Sequence, residues 1–194
     1  MRNLLSLLSI LCLFIIYNCE NNSIKKDDLQ IYKLVIDSFY VTGNNNLIVL
    51  NNHYIEDLIL KRQESEKVLL AYMNGIIADS GYKEIINQYI KINTSQDALN
   101  LVFKNTQYKF AFISQKEFAY YLRDSLDYQN FYNTFPKSSG FLGFTKIGYD
   151  RTRTKAFLYF ENYCGGLCAE GTYVFLEKKS EKWFIKNSKS IWQS

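Results

Sequence analysis

Thr154-Lys155-Ala156-Phe157-Leu158-Tyr159-Phe160-Glu161-Asn162-Tyr163, then Cys164-Gly165-Gly166-Leu167-Cys168, then Gly171-Thr172-Tyr173-Val174-Phe175-Leu176-Glu177-Lys178-Lys179, is the stretch whose reading decides the fold. Alternate side chains of a strand point to opposite sides of its sheet. Ala156, Leu158 and Phe160 therefore share one face, as do Val174 and Leu176, while Phe157, Tyr159, Tyr173 and Phe175 stand on the other. Apolar residues on both faces imply that both are at least partly covered. The paired glycines mark a chain reversal, and Lys178-Lys179-Ser180-Glu181-Lys182 is a polar hairpin turn. Trp183 and Trp192 are placed to anchor the strand that follows. With Phe141 to Tyr149 upstream, four strands are expected: Phe141–Tyr149, Thr154–Tyr163, Gly171–Lys179 and Lys182–Ile191.

Upstream of these strands the apolar spacing changes. Leu29, Tyr32, Val35, Ile36 and Phe39 recur at steps of three and four, the signature of an amphipathic helix. Thr42-Gly43-Asn44-Asn45-Asn46 breaks it, and Leu47–Leu50 reads as a short strand. Glu64–Ile77 and Tyr82–Ile92 again show helical steps, and Tyr108–Ile113 alternates with the period of a strand. Ser114 and Glu117 form a capping box, in which each side chain satisfies an orphan amide of the other residue. Phe118, Tyr121 and Leu122 are then the inner stripe of the helix it opens. The expected class is α+β, with N-terminal helices packed on one side of a C-terminal antiparallel β-meander of about four strands.

The chain begins Met1-Arg2-Asn3, followed by an apolar run from Leu4 to Ile16 relieved only by Ser6 and Ser9. This is the charged-then-apolar order of a secretory signal. A membrane-spanning helix needs roughly 20 apolar residues, so the run is too short for a comfortable span. It ends Ile15-Ile16-Tyr17-Asn18-Cys19, without the small pair of an ordinary cleavage site. The segment resembles the signal of bacterial lipoproteins, in which an aliphatic residue three places before a cysteine leads to cleavage and diacylation of the thiol. Ile16 occupies the aliphatic place, whereas Tyr17 and Asn18 are bulkier than the small residues of that pattern. The resemblance implies a lipid-anchored envelope protein with Cys19 as the modified residue. Residues 1–18 are then a signal peptide, 19–28 a polar tether, and 29–194 a single domain, for which the length is sufficient.

Composition narrows the partners. The chain carries a net charge of +4, too weak to argue for nucleic acid. Residues 137–194 nevertheless hold 10 basic and 5 acidic side chains, the composition of a solvated lysine-rich sheet face. The one histidine, His53, beside Asn51, Asn52, Glu56 and Asp57, is a weak candidate for a base or ligand. Arg151 and Arg153 can grip an anion or simply be solvated. Tyr120, Tyr121, Tyr128, Phe131, Tyr132 and Phe135 can stack a ligand, although aromatics at helical spacing more often form core. No nucleophile elbow, phosphate loop or paired His–Glu motif is present, and no cofactor, metal or catalytic residue is assigned.

Cys164 and Cys168 admit three readings. The expected reading is a structural disulfide that closes the hairpin, since export supplies an oxidising compartment. A redox couple needs a thiol of depressed pKa. A metal site needs further soft ligands. From Phe157-Leu158-Tyr159-Phe160 through Cys164-Gly165-Gly166-Leu167-Cys168-Ala169-Glu170-Gly171-Thr172-Tyr173 to Lys182-Trp183-Phe184-Ile185 and Trp192, the chain looks like the C-terminal signature of uncharacterised bacterial exported proteins and lipoproteins. That resemblance implies the exported compartment and carries no activity. Two functions stay open: a non-catalytic binding or assembly module facing an envelope protein or ligand, and a thiol-redox protein or enzyme using Cys164 and Cys168.

Overall fold

A computed structural model describes residues 26–40, 46–50, 81–93, 108–121, 128–165 and 168–194. Four helices and seven strands lie within them: α1 (26–39), β1 (Asn46–Leu50), α2 (Gly81–Asn93), β2 (Lys109–Ile113), α3 (Gln115–Tyr121), α4 (Tyr128–Thr134), β3 (Ser138–Phe144), β4 (Gly148–Tyr149), β5 (Lys155–Tyr163), β6 (Ala169–Lys179) and β7 (Lys182–Gln193). The class is α+β. Cys19, His53, Leu122 and the helix expected over 64–77 lie outside the described residues.

The expected four-stranded antiparallel meander is too small. All seven strands belong to one mixed sheet of order β2-β1-β3-β5-β6-β7, with β4 also pairing β5. The β5–β6 and β6–β7 hairpins are antiparallel, whereas β1 pairs in parallel with both β2 and β3. Antiparallel neighbours announce themselves through short turns between alternating runs. Parallel neighbours need a long crossover and leave no such local mark. The turn between β6 and β7 places Ser180 and Glu181 at φ 47° and 63°, the left-handed pair of a two-residue hairpin.

The strand expected over Phe141–Tyr149 is broken in two. At the break, the Thr145 hydroxyl accepts the Tyr159 amide at 2.8 Å, while the Thr145 amide donates to the Tyr159 carbonyl at 3.0 Å. A side-chain oxygen thus replaces a backbone carbonyl in the ladder. Asn93, at the end of α2, then clamps the exposed backbone of Lys146: its Oδ1 accepts the amide at 2.8 Å and its Nδ2 donates to the carbonyl at 3.0 Å. Gln88 accepts the Tyr149 amide at 2.6 Å. Side chains of α2 therefore satisfy backbone groups beside β4. Gly148 permits the approach, since a Cβ there would lie 2.7 Å from that of Tyr89.

Helices cover both faces of the sheet rather than the one side expected. On one face, Ile31, Tyr32, Val35 and Ile36 of α1 pack on Leu47, Val49, Leu142, Phe144, Ala156, Leu158, Phe160, Val174 and Leu176. On the other, Tyr82, Ile85, Ile86 and Tyr89 of α2 pack on Phe157, Tyr159, Tyr173 and Phe175. Further along that second face, α3 and α4 bring Phe118, Tyr121, Tyr128 and Phe131 onto Ile48, Phe141 and Tyr163. Each fully buried side chain of this size stabilises the fold by about 1.5–3 kcal/mol, so both helical layers are integral to it. The aromatic series of α3 and α4 is therefore mainly core, although Tyr120 is exposed. The capping box forms as the spacing requires. The Ser114 amide and hydroxyl both donate to Glu117 at 2.7 Å, and the Glu117 amide donates back to the hydroxyl at 3.3 Å.

Helix α1 also begins earlier than its apolar pattern suggested. Asp27 and Asp28, which composition alone placed in the tether, lie within it. Asp27 is buried against Lys178 and Trp183, and Asp28 accepts a hydrogen bond from the Tyr149 hydroxyl. These acids interrupt the apolar pattern because their partners are polar groups of the sheet, which periodicity does not register.

Candidate functional site

The face of the sheet that carries α2, α3 and α4 has two apolar patches, and β5 runs through both. Phe157 and Tyr159 belong to the α2 patch, and Tyr163 to the α3–α4 patch. Strand alternation puts Glu161 on the same face between them. Its neighbours in register are Gly143 on β3 and Gly171 on β6, and Gly171 in turn pairs with Trp192 on β7. The carboxylate is thus bracketed by two positions that project no side chain.

Trp192 fills the space above one of them. A Cβ on Gly171 would fall 2.1 Å from the indole Nε1 and 2.3 Å from the Tyr159 hydroxyl, so the indole lies over bare backbone. From there its Nε1–H donates to the Tyr159 oxygen at 2.7 Å. The Tyr159 hydroxyl donates to Glu161 Oε1 at 2.6 Å, and the Tyr163 hydroxyl donates to Oε2 at 3.1 Å. Tyr163 is itself held between Phe141, stacked at 4.8 Å, and Trp192 at 5.7 Å. Glu161, Tyr163 and Trp192 are partly exposed, whereas Tyr159 is buried.

Burial raises the Glu161 carboxyl above its usual range, and the two phenol hydrogen bonds pull it partly back. Burial, and then the Glu161 charge, push both phenols well above theirs, so each remains an O–H donor. No lysine or arginine among the described residues pairs with Glu161. A carboxylate in an aromatic setting without a cation is costly to maintain, and such groups cluster at functional sites.

Sequence reasoning missed Glu161. Its signal was present nonetheless: in the outward series Phe157, Tyr159, Glu161, Tyr163, one acid interrupts an aromatic face. Of the candidates that were singled out, Arg151 and Arg153 are engaged by acids of the chain itself. Arg151 pairs with Glu84 at 2.7 Å. Arg153 lies over the Tyr149 ring at 3.8 Å and faces Asp27 at 3.6 Å and Asp28 at 3.8 Å. Cys164 and Cys168 sit where β5 turns into β6, at disulfide-bonding distance and with Cα atoms 5.2 Å apart. The Cys164 amide donates to the Cys168 carbonyl at 3.3 Å, and the Tyr132 hydroxyl donates to the Cys164 carbonyl at 3.0 Å. The turn thus adjoins the Glu161 seam through Tyr163.

Among the described residues, no group of three or more His, Cys, Asp or Glu side chains is arranged to hold a metal, and no helix is long and apolar enough to cross a membrane. No family model, curated protein or solved structure matches the chain.

Proposed function

We propose that this is an exported envelope protein, lipid-anchored through Cys19, that acts as a non-catalytic binding module with its ligand seated at the Glu161 seam. One observation carries the binding reading: a carboxylate with no cationic partner among the described residues, bracketed by Gly143 and Gly171 and hydrogen-bonded to Tyr159 and Tyr163. A carboxylate whose burial opposes its charge, partly exposed between two helical layers on the sheet, is suited to recognition. The apolar run ending at Cys19, followed by a polar tether, supports export and lipidation. No partnering base or nucleophile stands beside Glu161 among the described residues, and this favours binding over chemistry.

Two measurements test the reading. Mass spectrometry of the mature protein should find Cys19 at the N-terminus bearing lipid, and Cys19→Ser should release the protein or leave its precursor uncut. Binding to native envelope should fall when Glu161→Gln or Trp192→Ala is introduced into a protein that still folds. Envelope binding indifferent to both substitutions would place the ligand elsewhere. A thiol-redox function is the second reading, favoured by the partly exposed turn that holds Cys164 and Cys168 at bonding distance. It requires a reduction potential in the range of catalytic dithiols, rather than the value below about −300 mV typical of structural disulfides.

A further inference from the structure

We infer that the Glu161 seam binds a primary ammonium group, with Glu161 as the anionic acceptor and Trp192 as the aromatic wall beside it. This rests on the seam being the protein's ligand site, and it names the chemistry that the site takes.

The direction of the hydrogen bonds selects the ligand. The cluster holds three side-chain donors, the Trp192 indole N–H and the hydroxyls of Tyr159 and Tyr163, and all three point inward. An indole nitrogen has no second proton, and each phenol has only one. What remains for a ligand is acceptor capacity: spare lone pairs on both carboxylate oxygens and on the Tyr163 hydroxyl. A phosphate or carboxylate ligand would bring only acceptors and a second negative charge, so it is excluded twice over. A neutral saccharide brings hydroxyl donors and leaves the Glu161 charge uncompensated. A primary ammonium brings three N–H donors and the missing positive charge, and its hydrogen bonds to a carboxylate are of the stronger, charge-assisted kind.

The walls fit the same choice. Trp192 is partly exposed, and a cation within about 6 Å of an indole face is attracted by the ring quadrupole. The Trp192 indole already lies over Gly171, whereas Gly143 puts no side chain beside the carboxylate and only Glu161 itself lies near it, so the ligand head can approach from the β3 side. Among the described residues, no lysine or arginine pairs with Glu161 to compete for it: Lys178 is engaged by Asp27 and Lys186 by Glu177.

The test uses the mature protein in detergent and follows the Trp192 indole N–H resonance, identified by its loss in Trp192→Phe. Butylammonium should shift it saturably, and its neutral isostere 1-butanol should not. Tetramethylammonium, a cation without donors, should bind at least about tenfold more weakly, because hydrogen bonds to a charged group are each worth about 1.5–3 kcal/mol. Glu161→Gln, which preserves size but removes the charge and one of the two acceptor oxygens, should weaken butylammonium by about tenfold or more on the same grounds. Glycerophosphoethanolamine run alongside identifies the source: tighter binding than butylammonium indicates a lipid headgroup, and weaker binding a free amine. Equal shifts with 1-butanol, or an unchanged affinity in Glu161→Gln, overturn the inference. A shift with methyl glucoside but not with butylammonium also overturns it, while leaving the seam as a ligand site. If no probe moves the resonance up to its solubility limit, the ammonium assignment fails whatever the envelope-binding result. The alcohol control needs no variant, so a poorly folded Glu161→Gln cannot stall the test.

Discussion

Asp27, near the start of α1, accepts a hydrogen bond from the Nε1 of Trp183, 156 residues further along the chain, at 3.1 Å. Lys178 approaches the same carboxylate at 3.1 Å and Arg153 at 3.6 Å. The first helix is thereby fastened to the β6–β7 hairpin and to the turn before β5.

Removing the Asp27 carboxylate leaves the buried Trp183 indole without its acceptor and takes from Lys178 and Arg153 the carboxylate they share, leaving them only Glu181 and Asp28. Asp27→Ala is expected to cost about 3–5 kcal/mol, the range for breaking a buried pair from one side. The midpoint of urea denaturation should fall with an unchanged slope. A loss below about 1 kcal/mol, as for surface pairs, would show that the network is solvated and unimportant to the fold.

Gly171→Ala tests the geometry of the seam. The new methyl would meet the Trp192 Nε1 at 2.1 Å and the Tyr159 hydroxyl at 2.3 Å, so one of them must move. Overpacking of this kind costs about 1–3 kcal/mol. The indole N–H resonance of Trp192 should shift and the Trp192–Tyr159 hydrogen bond should open, while that of Trp183 stays in place. An unmoved Trp192 signal would mean that the indole does not lie over Gly171.

Glu161 predicts an unusual pH dependence. Its folded carboxyl holds a proton more tightly than the unfolded one, because burial opposes the charge. Between the unfolded value of about 4.3 and the raised folded value, the native state binds more protons, so stability falls as pH rises through that window and is level above it. Glu161→Gln has no such loss. Its melting temperature should exceed that of the wild type at pH 7, and the difference should shrink as the pH is lowered towards about 4. A variant less stable than the wild type at pH 7 would show that the carboxylate supports the fold rather than burdening it. Greater stability together with lost ligand response is the mark of a residue kept for function.

For the Cys164–Cys168 pair, the chain-entropy gain of so short a loop is about 2 kcal/mol, equivalent to roughly 4–8 °C in a domain of this size. Replacing both cysteines with alanine should lower the melting temperature by that amount and leave the fold intact, since the turn is also held by the β5–β6 ladder. Non-reducing mass spectrometry of exported protein should show the bond. Two free thiols there would refute it.

The C-terminal hairpins were legible because each strand pairs with its sequence neighbour. Alternation of Ala156, Leu158 and Phe160 against Phe157 and Tyr159 fixes the faces, and a short polar turn fixes the partner. The pairing of β1 with β2 and β3 was not legible, since Leu47–Leu50 meets Phe110–Ile113 and Phe141–Leu142 across long stretches of chain. The break at Thr145 escaped for a related reason. It depends on Asn93 and Gln88 of a distant helix satisfying backbone that the strand leaves open.

By itself the sequence determined the amphipathic stripe of α1, the capping box at Ser114 and Glu117, the two terminal hairpins and the aromatic content of both sheet faces. These are local properties, set by the period of side-chain directions and by hydrogen bonds reaching only a few residues. Tertiary structure alone decided that Glu161 lies between Gly143 and Gly171, linked through Tyr159 to an indole from the last strand and paired with no described cation. Register across four strands makes that arrangement, and register is a relation between segments that no single segment contains.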